Sequence, residues 1–436
     1  MSAIARLLVA LGHEVSGSDA RPSAALDGLQ SIGVDVAVGH RAEQIAGADL
    51  VARSTAIPDD NPEVLAARQS GIALLSRADL LAAIAATRRT IAVSGTHGKT
   101  TTSAMLALIL VEAGWDPSFL VGGDIEGVGS GAAWSSGPWF VVEADESDAT
   151  FLRLGAEVVV VTNIEPDHLE HYGGWGQLVD AFETFVAAAP GPRIVTADNE
   201  TAARLAARHG AVTFGTAERA DYVMVDVELG ASAAAFSIKH DGRVLGRVTV
   251  PTPGLHNARN ACAAVVTAVA LGVPFDAAAR GLAGYRGVAR RFQHRGERNG
   301  VTFIDDYAHL PGEVAAAVTA ARAGHWRRIV VAFQPHRYSR TAALWADFAD
   351  SFQGADTVAI TDIYAAGETP RPGVTGKLIV DAVLDAHPEQ RVAYLPRRED
   401  LLAYLRRILQ PGDLCLTLGA GDVTTVPDEL HAGRPA

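Results

Sequence analysis

Residues 90–102, TIAVSGTHGKTTT, constrain this chain more than any other segment: an apolar strand meets a loop bounded by Gly95 and Gly98, which hands Lys99 and Thr100 to a helix. Glycine lets backbone N–H groups surround an anion at close range, and the helix that follows adds the positive end of its dipole. Such a loop reads as a phosphate cradle. Thr96, His97 and Thr101 complete it, Lys99 is suited to neutralise β- and γ-phosphate oxygens, and the Thr100 hydroxyl is suited to ligate Mg2+. The full phosphate-loop pattern has a glycine five residues before Gly98, where this chain has Val93, so the loop is a shortened variant. Its context supports the reading, because residues 90–93 are strand-like and residues 101–112 contain neither Pro nor Gly.

Lysine is otherwise almost absent. Only Lys99, Lys239 and Lys377 occur among 37 basic residues, so a lysine inside a nucleotide loop is hard to dismiss as generic surface charge. The formal net charge of −13 disfavours a nucleic-acid partner, and anionic substrates must be caught by local arginines and backbone dipoles. Cys262 and Cys415 lack metal-ligand spacing and sit in apolar surroundings, which reads as free, buried thiols in a reducing compartment. The sequence has no membrane-length apolar run and no signal-peptide pattern at its start; a cytoplasmic protein without membrane insertion is expected.

At 436 residues the chain has room for two or three domains. Residues 1–88 alternate helix and strand, beginning with Ile4, Leu7, Leu8 and Leu11 at helical spacing and a short strand ending on Asp19. A mononucleotide-binding unit normally opens with a strand and a glycine loop before such a helix, so the chain reads as starting inside one. Residues 89–289 carry the phosphate loop, two further apolar strands, an antiparallel insertion around residues 222–250, and a helix after PTPGLH that is apolar on most sides. Residues 290–436 form a third α/β segment with a mostly parallel sheet. Ligands of such sheets gather at the carboxyl ends of the strands.

Glu143 follows Phe140, Val141 and Val142, at the tip of a strand where a metal-holding carboxylate is useful. The neighbouring Asp145, Glu146 and Asp148 read as a solvated loop. His168 ends NIEPDH and is either a loop residue or a second metal ligand. Asn257 and Asn260 share a face near a helix start, equally suited to capping or to nucleotide contact. In the last segment Arg291, Asp305, Asp306, His336, Arg337 and Arg340 stand at strand ends or in the loops beyond them. Two arginines three apart in PHRYSR read as a carboxylate or phosphate clamp.

Taken together, GTHGKTTT, EADESDATF, TNIEPDH, HNARNACAA, ARRF, IDDYAH and FQPHRYSRT resemble the Mur ligases in order and spacing, with SGSD, STAIP and LGAGDV extending the likeness over almost the whole chain. The resemblance implies a UDP-binding domain, here Rossmann-like and lacking its first strand and glycine loop, a P-loop ATPase-like central domain, and a Rossmann-like carboxyl-terminal domain. It implies peptidoglycan-precursor chemistry: a muramoyl carboxylate of UDP-N-acetylmuramate attacks ATP, and the amine of L-alanine displaces phosphate from the acyl phosphate. Carried over position by position, Lys99 stabilises the β- and γ-phosphates while Thr100, Glu143 and His168 hold Mg2+. Asn257, Asn260, Arg291 and Asp306 match nucleotide positions. Tyr307, His309, Arg337 and Arg340 match positions facing the acyl phosphate and amino acid, and Asp19 and Ser54 match the sugar-nucleotide side.

Some relatives place a metal with a carbamylated lysine. Neither Lys239 nor Lys377 is placed for that, which agrees with the L-alanine-adding branch. The chain departs from the family at Leu310, usually a second histidine, and at Gly312, usually threonine. Two alternatives stay open: a recycling ligase that attaches an intact tripeptide to the same sugar nucleotide, and a nucleotide-binding homologue impaired in turnover. A monomer or weak homodimer is expected.

Overall fold

The computed structural model describes residues 1–167 and 169–432. The fold is mixed α/β, and the chain divides into two compact units. The first holds Met1–Val225, Ser237–Val248 and Arg259–Tyr285; the second holds Asp226–Phe236, Thr249–Ala258 and the chain from Arg286 on.

At the centre of the first unit is strand Arg89–Ser94. Trp139–Glu143 and Val158–Val161 pair parallel to it on either side, Ala92 meeting Val142 and Val159. Apart from Arg89 and Glu143, every residue of these three strands is buried. Burial on both faces explains why they read as continuous apolar runs rather than alternating ones. The full sheet has ten strands, in the order Arg243–Val250, Ala234–His240, Tyr222–Leu229, Val212–Gly215, Arg193–Thr196, Val158–Val161, Arg89–Ser94, Trp139–Glu143, Ser118–Ile125, Ser130–Ala133. The first two of these strands are joined by Asp241 and Gly242, both at positive φ (47° and 76°), the geometry of a tight antiparallel hairpin. That agrees with the insertion expected there.

Helix Ser2–Ala10 buries Ile4 and Leu7, as its spacing requires. Both belong to one hydrophobic cluster with Leu81, Ile84, Phe140 and Phe151, so the opening segment shares a core with the strands beside the phosphate loop. Two parallel strand pairs complete this part, Ser16–Asp19 with Asp35–Val38 and Leu50–Arg53 with Ala73–Ser76.

The second unit has a six-stranded sheet in the order Gln293–Arg298, Val301–Asp306, Leu414–Leu418, Ile329–Phe333, Thr357–Ile360, Val392–Tyr394. Only the first pair is antiparallel. The last strand of the chain is thus inserted between Val301–Asp306 and Ile329–Phe333, and their carboxyl ends fall side by side. Among the described residues no helix is long and apolar enough to cross a membrane, and Cys262 and Cys415 are free and buried, as expected.

Candidate active site

Gly98 has φ 83° and stands immediately before helix Lys99–Glu112, which no side chain caps. The helix therefore begins at Lys99, two residues earlier than composition alone indicates, and its first-turn N–H groups face the loop, as an anion site requires. Both glycines are forced by their surroundings. A Cβ at Gly95 (φ 134°) would lie 2.2 Å from Thr162 Oγ1, and one at Gly98 would lie 2.3 Å from Asn260 Oδ1. Asn260, only 8 % exposed, is thereby placed against the phosphate loop.

The loop is clamped by the segment after Val158–Val161. His97 N donates to Asn163 Oδ1 at 2.8 Å, Asn163 Nδ2 and Thr162 Oγ1 donate to His97 O at 3.0 and 2.6 Å, and Thr96 Oγ1 accepts from Glu165 N at 2.9 Å. His97 Nε2 lies 3.2 Å from Glu165 Oε2. Thr162, Asn163 and Glu165 escaped the sequence reading, which took only His168 from that motif. Their signal was available: polar residues directly after an apolar strand that neighbours the loop strand. His168 lies outside the described residues.

Thr100 Oγ1 donates to Glu143 Oε1 at 3.0 Å, and Gly122 N donates to Glu143 Oε2 at 2.7 Å. The expected pair is assembled. Among the described residues no group of three or more His, Cys, Asp or Glu side chains is arranged to hold a metal. A hydroxyl beside a single carboxylate is nonetheless an all-oxygen donor set that fits Mg2+, a hard cation that keeps waters and takes its remaining ligands from phosphate.

Lys99 Nζ donates to Gly95 O at 2.7 Å, to Thr96 O at 3.2 Å and to Glu146 Oε1 at 2.8 Å. Glu146 is 2 % exposed, which overturns its reading as part of a solvated loop. Burial pushes its carboxyl up to about 7, against the pull of Lys99. Burial also works against the Lys99 ammonium, but Glu146 and Asp145 outweigh it and the net shift is upward, so the lysine is charged.

Within the second unit, Arg291 and Asp306 are neighbours of Tyr307. The Arg291 guanidinium lies 5.1 Å from the Tyr307 ring centre, and that of Arg290 4.8 Å. Asp306 accepts from Phe292 N at 2.7 Å and Ala308 N at 2.8 Å. Burial raises its carboxyl to about 6, moderated by Arg291. Asp305 points the other way, into the protein, and is fully buried. His309 Nδ1 lies 2.9 Å from Tyr307 O and 3.2 Å from Glu313 Oε2, and the same carboxylate oxygen accepts from His309 N and Leu310 N. The sequence reading missed Glu313 and its contacts with His309, although an acidic residue in the first turn after Pro311 is a recognisable helix-start signal.

Arg337 adopts φ 68°, a backbone region unusual for a side chain this large, just before helix Tyr338–Leu344. Its N donates to Tyr364 O at 2.9 Å, and its Nε is buried without a hydrogen-bond partner. Arg340 Nη1 donates to His336 Nδ1 at 3.1 Å. Burial, together with His309, Arg340 and Arg337, drives the His336 imidazole down to about 3, so it is neutral and accepts that bond. The rings of His336 and Tyr364 stack 5.7 Å apart. Ser339 N and Oγ donate to Glu368, which fastens the following loop to the same helix start. Arg337, with its unsatisfied N–H, and Arg340 thus stand together at the start of one helix.

The His336 shift has a signed consequence. Between pH 6.5 and 3 the unfolded chain binds a proton at this position that the folded chain does not, so its contribution is full above pH 6.5 and is lost as pH falls. Unfolding free energy measured from pH 7 to 4 is expected to fall less steeply in His336→Gln than in wild type; equal slopes would contradict the assignment.

Asp19 and Ser54 close the carboxyl ends of strands in the two separate small sheets. Asp19 Oδ1 accepts from Arg21 N at 3.1 Å and Ser54 Oγ from Ala56 N at 3.3 Å. Asn257 is 5 % exposed and donates to Pro253 O at 2.7 Å, bracing the turn before its helix.

The chain matches three family profiles: "Mur ligase family, catalytic domain" over residues 1–89, "Mur ligase middle domain" over 93–268, and "Mur ligase, glutamate ligase domain" over 290–421. It is 42 % identical over 435 residues to a UDP-N-acetylmuramate--L-alanine ligase of Geobacter sp. (strain M21), covering 99 % of this chain and 94 % of the relative. It is 43 % identical to the protein of that name from Solidesulfovibrio magneticus, covering 98 % and 94 %. Among solved structures, the UDP-N-acetylmuramate-alanine ligase MurC of Thermotoga maritima matches with TM-score 0.85 and 28 % identity over 99 % of this chain and 95 % of that one. A murein peptide ligase of Psychrobacter arcticus shares the fold, with TM-score 0.74 and 24 % identity over 100 % and 97 %.

Proposed function

We propose, since this chain belongs to the Mur ligase family, that it joins L-alanine to UDP-N-acetylmuramate with hydrolysis of ATP to ADP and phosphate, a step of peptidoglycan precursor synthesis. The observation that carries this reading is full-length identity of about 42 % to ligases of that name, and the assembled Lys99, Thr100 and Glu143 agree with it. In this reading residues 1–88 take the sugar nucleotide through Asp19 and Ser54, residues 89–289 take ATP, and residues 290–436 take the amino acid. The reaction belongs in the cytoplasm, where ATP is available.

The sugar-acid carboxylate attacks the γ-phosphorus, ADP leaves, and the alanine amine then attacks the acyl carbon and expels phosphate. Both steps bring anions together, so neutralising charge and aligning groups matter more than any protein nucleophile. Lys99 moves onto the β- and γ-phosphate oxygens. The loop N–H groups and Asn260 hold the phosphate chain; Asn257, Arg291 and Asp306 match nucleotide positions of the family. Thr100 and Glu143, with His168, would hold Mg2+, which when bound offsets phosphate charge. Arg337 and Arg340 clamp the carboxylate of the incoming amino acid, and neutral His336 holds Arg340 in line. Tyr307 and His309, steadied by Glu313, face the acyl phosphate.

ADP release with UDP-N-acetylmuramate is expected to require L-alanine and to be negligible with the tripeptide L-alanyl-γ-D-glutamyl-meso-diaminopimelate. Release with the tripeptide alone would establish the recycling activity instead. Nucleotide binding with no release for either pairing would establish an impaired homologue.

A further inference from the structure

We propose that Glu146 is a built-in competitor of the nucleotide's phosphates for Lys99, one that fills the anion's place when no nucleotide is bound and must be displaced when it arrives. The inference rests on the phosphate-loop reading of residues 95–101 and goes beyond it. An ammonium group has three N–H bonds, and in this structure Gly95 O, Thr96 O and Glu146 Oε1 accept all three. Glu146 Oε2 also lies 2.8 Å from Nζ. Lys99 cannot grip phosphate oxygens without giving up part of this set.

The competitor is held in place. The Tyr172 hydroxyl donates to the Glu146 carbonyl. Asp145 Oδ1 accepts from Ser147 N at 3.0 Å and Asp148 Oδ1 from Thr150 N at 3.0 Å, so the backbone on either side is turned back on itself. Arg153 pairs with Asp79 at 2.5 Å and anchors the far end of the segment. Glu143 does not share this role, because its two oxygens are taken up by Thr100 and Gly122 N.

Lys99 is also the cation that offsets Glu146, while Asp145 and Glu143, which also act on this lysine, carry the same sign as Glu146. When a polyphosphate draws Lys99 away, the buried ion pair is lost and Glu146 must either take up a proton or stay charged beside added negative charge, so binding is opposed. When the product nucleotide loosens, Glu146 recaptures the ammonium and release is favoured.

The test is ADP affinity, by calorimetry in the presence of Mg2+, for the full chain and for Glu146→Gln, which keeps shape and removes charge. The variant is expected to bind ADP about tenfold more tightly, with slower dissociation. Unchanged or weaker affinity would overturn the proposal and make Glu146 an anchor that merely orients Lys99. Hydrogen–deuterium exchange on the unaltered protein gives a second arm independent of the variant's folding. ADP should protect residues 95–101 while loosening residues 145–151, and protection of both would overturn the proposal. If the unaltered chain binds no ADP at all, the phosphate-loop reading fails as well; if it binds and the variant is no tighter, only this inference falls.

Discussion

Replacing Lys99 by alanine is expected to lower ADP formation by about 10²–10³-fold or more, the size of effect seen when one preorganised donor to a developing anion is removed. The side chain lies within 3.2 Å of two loop carbonyls and one carboxylate. It is thus held at the phosphate loop, and it gives up its bond to Glu146 when it turns to the phosphate oxygens. The fold should survive, because Glu146, deprived of its cation, takes up a proton rather than remaining charged in a buried site. Steady-state ADP release and a far-UV circular dichroism melt measure the two halves of this expectation. Arginine at 99 retains charge but presents a wide planar fork where a compact ammonium meets Gly95 O and Thr96 O, so Lys99→Arg should restore little activity. Turnover of Lys99→Ala within tenfold of wild type would contradict the role.

Asp305→Ala should carry the largest stability loss, about 3 kcal/mol. Asp305 is fully buried and accepts from Thr417 Oγ1 at 2.6 Å, Thr424 Oγ1 at 2.7 Å and Arg290 Nε at 3.4 Å. Arg290 in turn donates to the carbonyls of Gly419 and Gly421 at 2.6 and 3.1 Å and lies beside Tyr307. Removing the carboxylate strips Arg290 of its counter-charge and Thr424 and Thr417 of their short acceptor, beneath the loop that ends strand Leu414–Leu418. The Arg290 side chain keeps 25 % exposure, and water reaching it holds the loss to the lower end of the range for broken buried pairs. Asp305→Asn keeps the volume and one acceptor and should lose only about 1–2 kcal/mol. Denaturant unfolding measures both; a loss under about 1 kcal/mol for alanine would show that the network is dispensable.

The contrast between Asp305 and Asp306 illustrates what a sequence can and cannot disclose. Adjacent residues on a strand face opposite sides, so one of the pair had to turn inward, but nothing local says which. The answer depends on Thr417 and Thr424, more than a hundred residues away in the chain. The phosphate loop was legible because its chemistry is local: two glycines, a lysine and a hydroxyl in one short segment. Glu143 was legible as a strand tip. Arg337 and Arg340 were legible as a pair three residues apart, although the strained φ of Arg337 and the neutral His336 bonded to Arg340 were not. Glu146 was misread because acidic runs are usually solvated, and only the fold of residues 144–150 turns one member inward. Asn163 and Glu165 clamp the loop across a pair of neighbouring strands, a relation that emerges only once Val158–Val161 is seen to pair with Arg89–Ser94.

The central claim is that ATP's terminal phosphoryl group passes to the carboxylate of a sugar acid before any amide forms. Turnover of UDP-N-acetylmuramate labelled with 18O in its carboxylate, with ATP and L-alanine, tests this directly by mass spectrometry of the released phosphate. The account predicts one 18O atom in each phosphate formed. Phosphate free of label, with amide still produced, would contradict it.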